Sequence, residues 1–272
     1  MLFRSPEMSA LEDHYRLSLR HMQQLPKSTA TPALYLLIGV LPMEAQVHVR
    51  TLNFFASALT RPESIESRLI ERQLAMKPSS SHSWVWYAQA LLKRYRLPSA
   101  FSLLRDLPKK EQWKKRVRAA VTKAWEKDLK SQAMGMSTLA LLNLDVCDLR
   151  TVHPVWSLGA ADPLTAIKAT TKAKMLVQRY PLFYSRTAGI HYGHHCPLCN
   201  SEPESMAHFL IMCPILDGAR KVHEGKLVRL MTAAGLPIPD DEDGMVKLIL
   251  DPSHFAPGPL IMTLETITRD LC

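Results

Sequence analysis

The chain has 272 residues, of which 47% are hydrophobic and 22% are charged. This balance is typical of a globular protein with one large or two modest cores, and it excludes a disordered chain. The formal net charge is +9, and the first 130 residues hold 22 of the 34 basic residues but only 11 of the 25 acidic ones. An uneven positive charge favours a polyanionic partner, most simply nucleic acid, although basic surfaces also arise as solubilising faces.

Cysteine content and hydropathy indicate the compartment. Three of the five cysteines fall within one short segment, which favours a reducing compartment over a disulfide framework. The first eight residues lack the apolar run of a signal peptide, and the longest apolar run, residues 33–41, is too short to cross a bilayer. The sequence therefore predicts an intracellular protein of the nucleus or the cytoplasm, with no membrane partner.

The first part of the chain is a series of helical segments separated by prolines, with no glycine-rich phosphate loop and no sustained strand alternation. Helices are predicted over residues 9–24, 33–38, 42–59, 62–76 and 84–95, followed by a short helix between Pro98 and Pro108. Trp84, Tyr87, Leu91 and Tyr95 form a stripe at helical spacing. Such a stripe is more often a core face than a base-stacking platform.

Residues 109–130 are the most basic segment, with nine Lys or Arg and three Asp or Glu among 22 residues. In a helical projection the apolar side chains gather on one side. These are Trp113, Val117, Ala120, Val121, Ala124 and Trp125. The candidate nucleic-acid-binding residues are Lys110, Lys114, Lys115, Arg116, Arg118, Lys123 and Lys130. Glu111–Lys115 and Glu126–Lys130 are also spaced as i,i+4 ion pairs, so an ordinary solvated helix surface is the alternative interpretation.

Helical periodicity is weaker from residue 137 to 159 and returns at Asp162-Pro163. The helix that starts there is predicted to end near Tyr180, with Lys168, Lys172 and Lys174 facing solvent. Another helix is predicted over residues 214–234, with four basic side chains exposed: Arg220, Lys221, Lys226 and Arg229. A solvated acidic link at 237–243, a short helix at 245–250 and an amphipathic helix from Leu260 complete the prediction.

The segment 196–213 contains the pattern C-x2-C-x8-H-x4-C, formed by Cys196, Cys199, His208 and Cys213. Thiolate sulfur and imidazole nitrogen are the ligands of tetrahedral structural zinc. A short helix is predicted over residues 202–212, and Pro214 disfavours helical backbone at Cys213, so the thiolate can turn back toward His208. We therefore expect one structural Zn²⁺ with a closed ligand set. The alternative is three buried thiols and an unrelated histidine.

Three further histidines precede this pattern, at His191, His194 and His195. Any of them can in principle replace a named ligand, and His195 is the strongest competitor because it adjoins Cys196. Adjacent histidines are more often surface residues or partners of the ligands. We therefore leave them out of the predicted metal set.

Several segments together resemble the C-terminal part of reverse transcriptases encoded by non-LTR (LINE-type) retrotransposons, over about residues 20–230. The segment after the polymerase palm is similar at Leu25-Pro26, Ala33-Leu34-Tyr35, Gly39, Leu41-Pro42 and Arg50. The family's basic linker is similar from Ser83-Trp84 to Leu97-Pro98 and at Trp113 and Trp125. The segment before the family's cysteine–histidine motif is similar from Met175 to Tyr180-Pro181-Leu182. The motif itself is similar at Cys196-Pro197-Leu198-Cys199, His208-Phe209-Leu210 and Cys213-Pro214. Glu204-Ser205 stands where the family often has Glu-Thr.

Catalytic motifs are absent from the sequence. Polymerase chemistry requires paired Asp carboxylates in an aromatic-x-Asp-Asp turn, and the only Asp-Asp pair, Asp240-Asp241, lies in the acidic link. The resemblance implies a non-catalytic part of an RNA-directed DNA polymerase that positions template RNA or target DNA, with a polymerase domain as a possible partner in a longer polyprotein. A zinc-stapled scaffold for protein interactions without nucleic-acid binding is the alternative.

The predicted architecture is mainly α, a helical bundle or arm with a small C-terminal zinc-knuckle subdomain. Four parts are expected. They are a basic helical region (1–135), a connecting helical region (136–182), a zinc-binding subdomain (183–235) and a C-terminal extension (236–272).

Overall fold

The computed structural model describes residues 5–78, 80–157, 162–182 and 195–272. Within these ranges the chain is mainly helical and forms no β-strand, while one isolated antiparallel bridge joins His195 to Pro203. The prediction of a mainly α protein with a Cys/His cluster toward its C-terminus is therefore confirmed. None of the described helices combines the length and apolarity that crossing a bilayer requires.

The helices are numbered along the chain. The first seven are α1 (Ser5–Gln23), α2 (Thr31–Leu36), α3 (Met43–Leu59), α4 (Ile65–Met76), α5 (Trp84–Arg94), α6 (Ala100–Arg105) and α7 (Lys110–Met134). They are followed by α8 (Pro154–Ser157), α9 (Pro163–Leu176), α10 (Asp217–Ala233), α11 (Glu242–Leu250) and α12 (Pro259–Arg269). Short 3-10 turns lie at Ser137–Leu139, Pro214–Leu216 and Pro252–His254, and a π-helical turn spans His208–Met212.

Polar caps fix many of the helix starts. Several helices begin after a Ser or Asp whose side chain accepts a backbone N–H three residues further on, which satisfies a donor that the helix leaves unpaired. These caps are Ser64, Ser83, Ser99, Asp162 and Asp241. The four acidic residues at 240–243 are exposed as predicted, but the link ends earlier than the predicted 237–243, because Asp241 caps a helix that begins at Glu242. The acidic run instead starts α11, where Glu242 and Asp243 suit the positive end of the helix dipole.

Contacts between Cα atoms divide the chain into two units. Residues 1–18 and 40–129 form the first unit, and residues 19–39 and 130–272 form the second. The long helices α1 and α7 each contribute residues to both. The four-part division predicted from the sequence stays a prediction.

The core of the first unit is built on α3, α5 and α7. Trp113 of α7 is buried, and its indole N–H donates to the carbonyl of Leu52 at 3.2 Å. The Tyr95 hydroxyl lies 2.6 Å from Nδ1 of buried His48 and accepts the indole N–H of Trp125 at 2.9 Å. Tyr95 is therefore a core residue, as its position in the predicted stripe indicated.

The core of the second unit contains a buried ion pair. Lys172 of α9 was predicted to face solvent, but its side chain is fully buried and donates to Glu265 Oε2 and Thr268 Oγ1, both at 2.7 Å. The Glu265 carboxylate also lies 3.3 Å from the guanidinium of Arg269. The prediction was wrong because α12 supplies a matching carboxylate, and a buried ammonium is tolerated only when it is paired and hydrogen-bonded.

A second buried polar group holds loops of this unit together. Asp251 is fully buried and accepts hydrogen bonds from the backbone N–H of Asn143 and from the N–H and hydroxyl of Ser253. His153 Nε2 lies 3.5 Å from the same carboxylate. Burial by itself would raise the pKa of Asp251, but the contacts from His153, Ser253 and Asn143 outweigh it and lower that pKa to about 2. The carboxylate is therefore a structural anion.

Candidate metal centre and basic helix

The four residues of the Cys/His pattern converge on one point. The side-chain donor atoms of Cys196, Cys199, His208 and Cys213 all lie within 4.8 Å of one another. The sulfurs of Cys196 and Cys213 are 3.9 Å apart, and Cys199 Sγ is 3.3 Å from His208 Nε2. Donor atoms around a tetrahedral ion with metal–sulfur bonds of about 2.3 Å are separated by about 3.8 Å. The cluster therefore has the size of a four-coordinate metal site.

Burial and charge make the cluster suited to a cation. Cys196, His208 and Cys213 are buried, Cys199 is half-buried, and all three cysteines are free thiols. Burial raises the pKa of the Cys213 thiol. Two buried thiolates whose sulfurs are in van der Waals contact repel each other. Both thiols can therefore be deprotonated only when a cation lies between them.

A tight turn places the first two sulfurs. The N–H of Asn200 donates to the carbonyl of Cys196 at 2.8 Å, and the N–H of Cys196 donates to the carbonyl of Glu202 at 2.6 Å. Asn200 adopts the left-handed conformation (φ 54°), which asparagine tolerates better than most residues. The hydroxyl of Ser201 donates to Cys199 Sγ at 3.0 Å, and this contact is the largest cause that lowers the pKa of Cys199 to about 6. The lowered pKa of Cys199 favours the thiolate, which is the form that binds a metal.

The segment that carries the other two ligands differs from the predicted helix over 202–212. Pro203 lies in the bridge to His195, and helical backbone begins only at Met206. The Ser205 hydroxyl accepts the N–H of His208 at 2.9 Å and so caps this start. Ser205 therefore caps the start of this helix, which begins four residues later than the predicted start at residue 202.

The π-helical turn explains the spacing between His208 and Cys213. The N–H of Cys213 donates to the carbonyl of His208 at 2.7 Å, which is the i to i+5 bond of a π turn. Cys213 itself is extended (φ −60°, ψ 116°), so the helix ends before Pro214 as predicted. The sequence did not predict this wider turn, which brings Cys213 back toward His208.

Glu202 fixes the orientation of the imidazole. Its Oε2 lies 3.3 Å from His208 Nδ1, while His208 Nε2 faces the sulfur of Cys199. A proton held on Nδ1 by the carboxylate leaves the lone pair of Nε2 available for a metal. The sequence did not predict this role for Glu202. The available signal was an acidic residue between Cys199 and His208.

Arg220 of α10 braces the end of the π turn. The sequence predicted an exposed side chain, but Arg220 is only 5% exposed and donates from its two terminal nitrogens to the carbonyls of Ile211 and Cys213. The prediction was wrong because the periodicity of α10 shows only its own apolar stripe. The carbonyls that attract the guanidinium lie outside that helix, and no local pattern announces them.

The competing histidines are not part of the cluster as far as the structure describes them. His195 is exposed and contributes its backbone to the bridge with Pro203, and its ring is not among the converging groups. His191 and His194 lie outside the described residues.

The predicted basic helix corresponds to α7, which continues to Met134. Its buried side chains lie on one side of the helix, while Ala120, Ala124 and Trp125 are half-buried. The buried ones are Trp113, Val117, Val121, Thr122, Leu129 and Ala133. Six of the seven predicted basic residues are exposed, namely Lys110, Lys114, Lys115, Arg116, Arg118 and Lys123. The seventh, Lys130, is half-buried.

The exposed surface of α7 also carries carboxylates, at Glu111 and Asp128. Glu111 pairs with Lys114 at 3.0 Å, whereas its predicted partner was Lys115. Both side chains are well exposed, so solvent and salt screen the attraction between them. Lys114 can therefore exchange this carboxylate for another anion at little cost.

Comparison of the chain with protein families, with curated proteins and with solved structures found no match. The resemblance to the C-terminal part of LINE-type reverse transcriptases therefore stays a prediction carried by the residues named above.

Proposed function

We propose that Cys196, Cys199, His208 and Cys213 hold one structural Zn²⁺. Three sulfur ligands and one imidazole nitrogen favour zinc over magnesium or calcium, which prefer oxygen. Four protein ligands close the coordination sphere and leave no position for substrate. The ion connects the turn at residues 196–200 to the π turn. Arg220 in turn connects the end of the π turn to α10.

We further propose that the chain is a nucleic-acid-binding portion of a retrotransposon-type reverse transcriptase, without the polymerase motif, that positions template RNA or target DNA. The observation that carries this proposal is the asymmetry of α7. One side of the helix is buried in the core, and seven Lys or Arg side chains are exposed on the remainder, against two exposed carboxylates, Glu111 and Asp128. Lys and Arg ranged along an anchored helix can contact successive phosphates without reading bases.

The experiment is a comparison of two triple variants by fluorescence anisotropy with labelled single-stranded RNA and DNA. Lys115, Arg118 and Lys123 of α7 are replaced by alanine in the first. Lys221, Lys226 and Arg229 of α10, all exposed, are replaced in the matched control. Both variants lose three positive charges. Only the α7 variant is expected to weaken binding by an order of magnitude or more at low salt, because only it removes the proposed phosphate contacts.

Equal weakening by both variants would mean that net charge alone drives binding. The absence of binding by the unmodified chain would favour the alternative, a zinc-stapled scaffold for protein interactions. The Glu111–Lys114 pair is the observation in favour of that alternative, since it is what an ordinary solvated helix surface contains.

We also propose that the chain has no enzymatic activity of its own and acts inside the cell, in the nucleus or the cytoplasm. A polymerase domain of a longer polyprotein is the proposed protein partner. The absence of an aromatic-x-Asp-Asp turn supports the first point, because two-metal phosphoryl transfer needs such carboxylates.

A further inference from the structure

The first unit contains a cavity of about 420 Å³ between α3 and the start of α7. This volume lies in the range of small-ligand pockets. The residues that line it on α3 include Asn53, Phe54 and Ser57, and those on α7 include Lys110 and Lys114. The cavity therefore borders directly on the basic surface described above.

An aromatic side chain is exposed at this cavity. Phe54 is 59% exposed, although its neighbours Leu52 and Phe55 on α3 are fully buried. Its ring centroid lies 5.5 Å from that of Trp84, at an interplanar angle of 50°. Trp84 therefore supports the ring while much of its surface stays accessible. An aromatic ring held in this way is suited to stacking against a flat, unsaturated group.

Polar groups at the same cavity indicate that its occupant is not a purely apolar molecule. Asn53 Oδ1 is buried and has no hydrogen-bond partner within the described part of the chain. Buried amide groups are normally paired, so Asn53, which lines the cavity, has hydrogen-bonding capacity that a ligand can satisfy once the side chain rotates toward it. Lys110 and Lys114 add two exposed ammonium groups, the second in the weak pair with Glu111.

We propose that this cavity binds one unstacked base of a single-stranded nucleic acid. The base stacks on Phe54, its edge reaches the amide of Asn53, and the adjoining phosphates contact Lys110 and Lys114. A nucleotide unit is the ligand class that combines a π face, edge donors and negative charge. This inference rests on the proposed nucleic-acid binding and adds to it a preference for single strands whose bases are exposed.

The test compares two single strands of equal length and charge, one of thymidine nucleotides and one of abasic sugar phosphates, by anisotropy with the full zinc-loaded chain. The unmodified protein is expected to bind the base-bearing strand at least about fivefold more tightly, which is the lower end of base–aromatic stacking. Phe54→Leu keeps an apolar side chain but removes the π face. It should abolish this preference and leave the affinity for the abasic strand unchanged.

Phe101→Leu is the matched control, because Phe101 is also exposed, at 48%, lies on α6, and is not among the residues that line the cavity. This variant should keep the full preference. If Phe54→Leu retained the preference while both strands bound in a salt-dependent manner, the cavity proposal would be wrong and the proposed function would stand. If neither strand bound the unmodified protein, both would fail.

Discussion

Replacing one metal ligand should reveal how far the second unit depends on zinc. Cys199→Ser removes the half-buried thiolate at the cluster and keeps a side chain of similar size. Apparent zinc-binding free energies in small zinc modules are about 10–16 kcal/mol, comparable to the entire 5–15 kcal/mol that holds a typical domain folded. The loss of one of four ligands should therefore destabilise the region by at least about 3 kcal/mol, well above the roughly 1 kcal/mol of an average substitution.

The assay measures zinc per chain and urea-induced unfolding for the unmodified protein, Cys199→Ser, His208→Gln and a control. Cys272→Ser is the control, because this cysteine lies outside the cluster and its side chain donates only to the carbonyl of Thr268. We expect about one zinc in the unmodified protein and the control, and a large loss in the other two variants. Full zinc occupancy in both ligand variants would refute the assigned set.

Three further substitutions test the interior groups. Lys172→Met should lower the free energy of unfolding by up to about 3 kcal/mol, the lower end of the cost of an unpaired buried charge, because Glu265 loses its ammonium partner and keeps only the guanidinium of Arg269 at 3.3 Å; an effect below about 1 kcal/mol in urea unfolding would contradict this. Arg220→Lys keeps the charge but loses the two-pronged contact to the carbonyls of the π turn. Zinc affinity, measured by competition with a colorimetric chelator, should fall about 10- to 100-fold and should not stay at the unmodified level. Burial, and secondarily Arg94, lower the pKa of His48 from 6.5 to about 4, so folding favours the neutral imidazole. The stability advantage of the unmodified protein over His48→Gln should be complete above pH 6.5 and shrink by about 3 kcal/mol toward pH 4, and a constant difference would disprove the assignment.

Local signals in the sequence were sufficient for the helices and for the metal cluster. Pro42 precedes α3, Asp162 caps α9, and the hydrophobic spacing of α7 identified its buried side, because each of these depends on residues within a few turns. The four residues of the Cys/His cluster were found in the same way, since they lie at the short spacings that are typical of zinc ligands.

The features that the sequence did not predict depend on distant partners. The pairing of Lys172 with Glu265 joins residues 93 positions apart, and nothing in the pattern of α9 distinguishes this lysine from Lys168 and Lys174, which are half-buried. Arg220 was missed because its acceptors are backbone carbonyls of another segment. The cavity at Phe54 was missed because it forms only where α3 meets the start of α7, across more than fifty residues of chain.

The most direct test of the central claim is the dependence of nucleic-acid affinity on salt for the zinc-loaded chain. The logarithm of the binding constant for a single strand should fall linearly with the logarithm of salt between about 50 and 200 mM, with a slope of about −0.7 per phosphate contacted. Replacing Lys115, Arg118 and Lys123 with alanine should make that slope shallower by up to about 2. A binding constant that does not change with salt, or a slope that is the same in the variant, would contradict phosphate contact by α7.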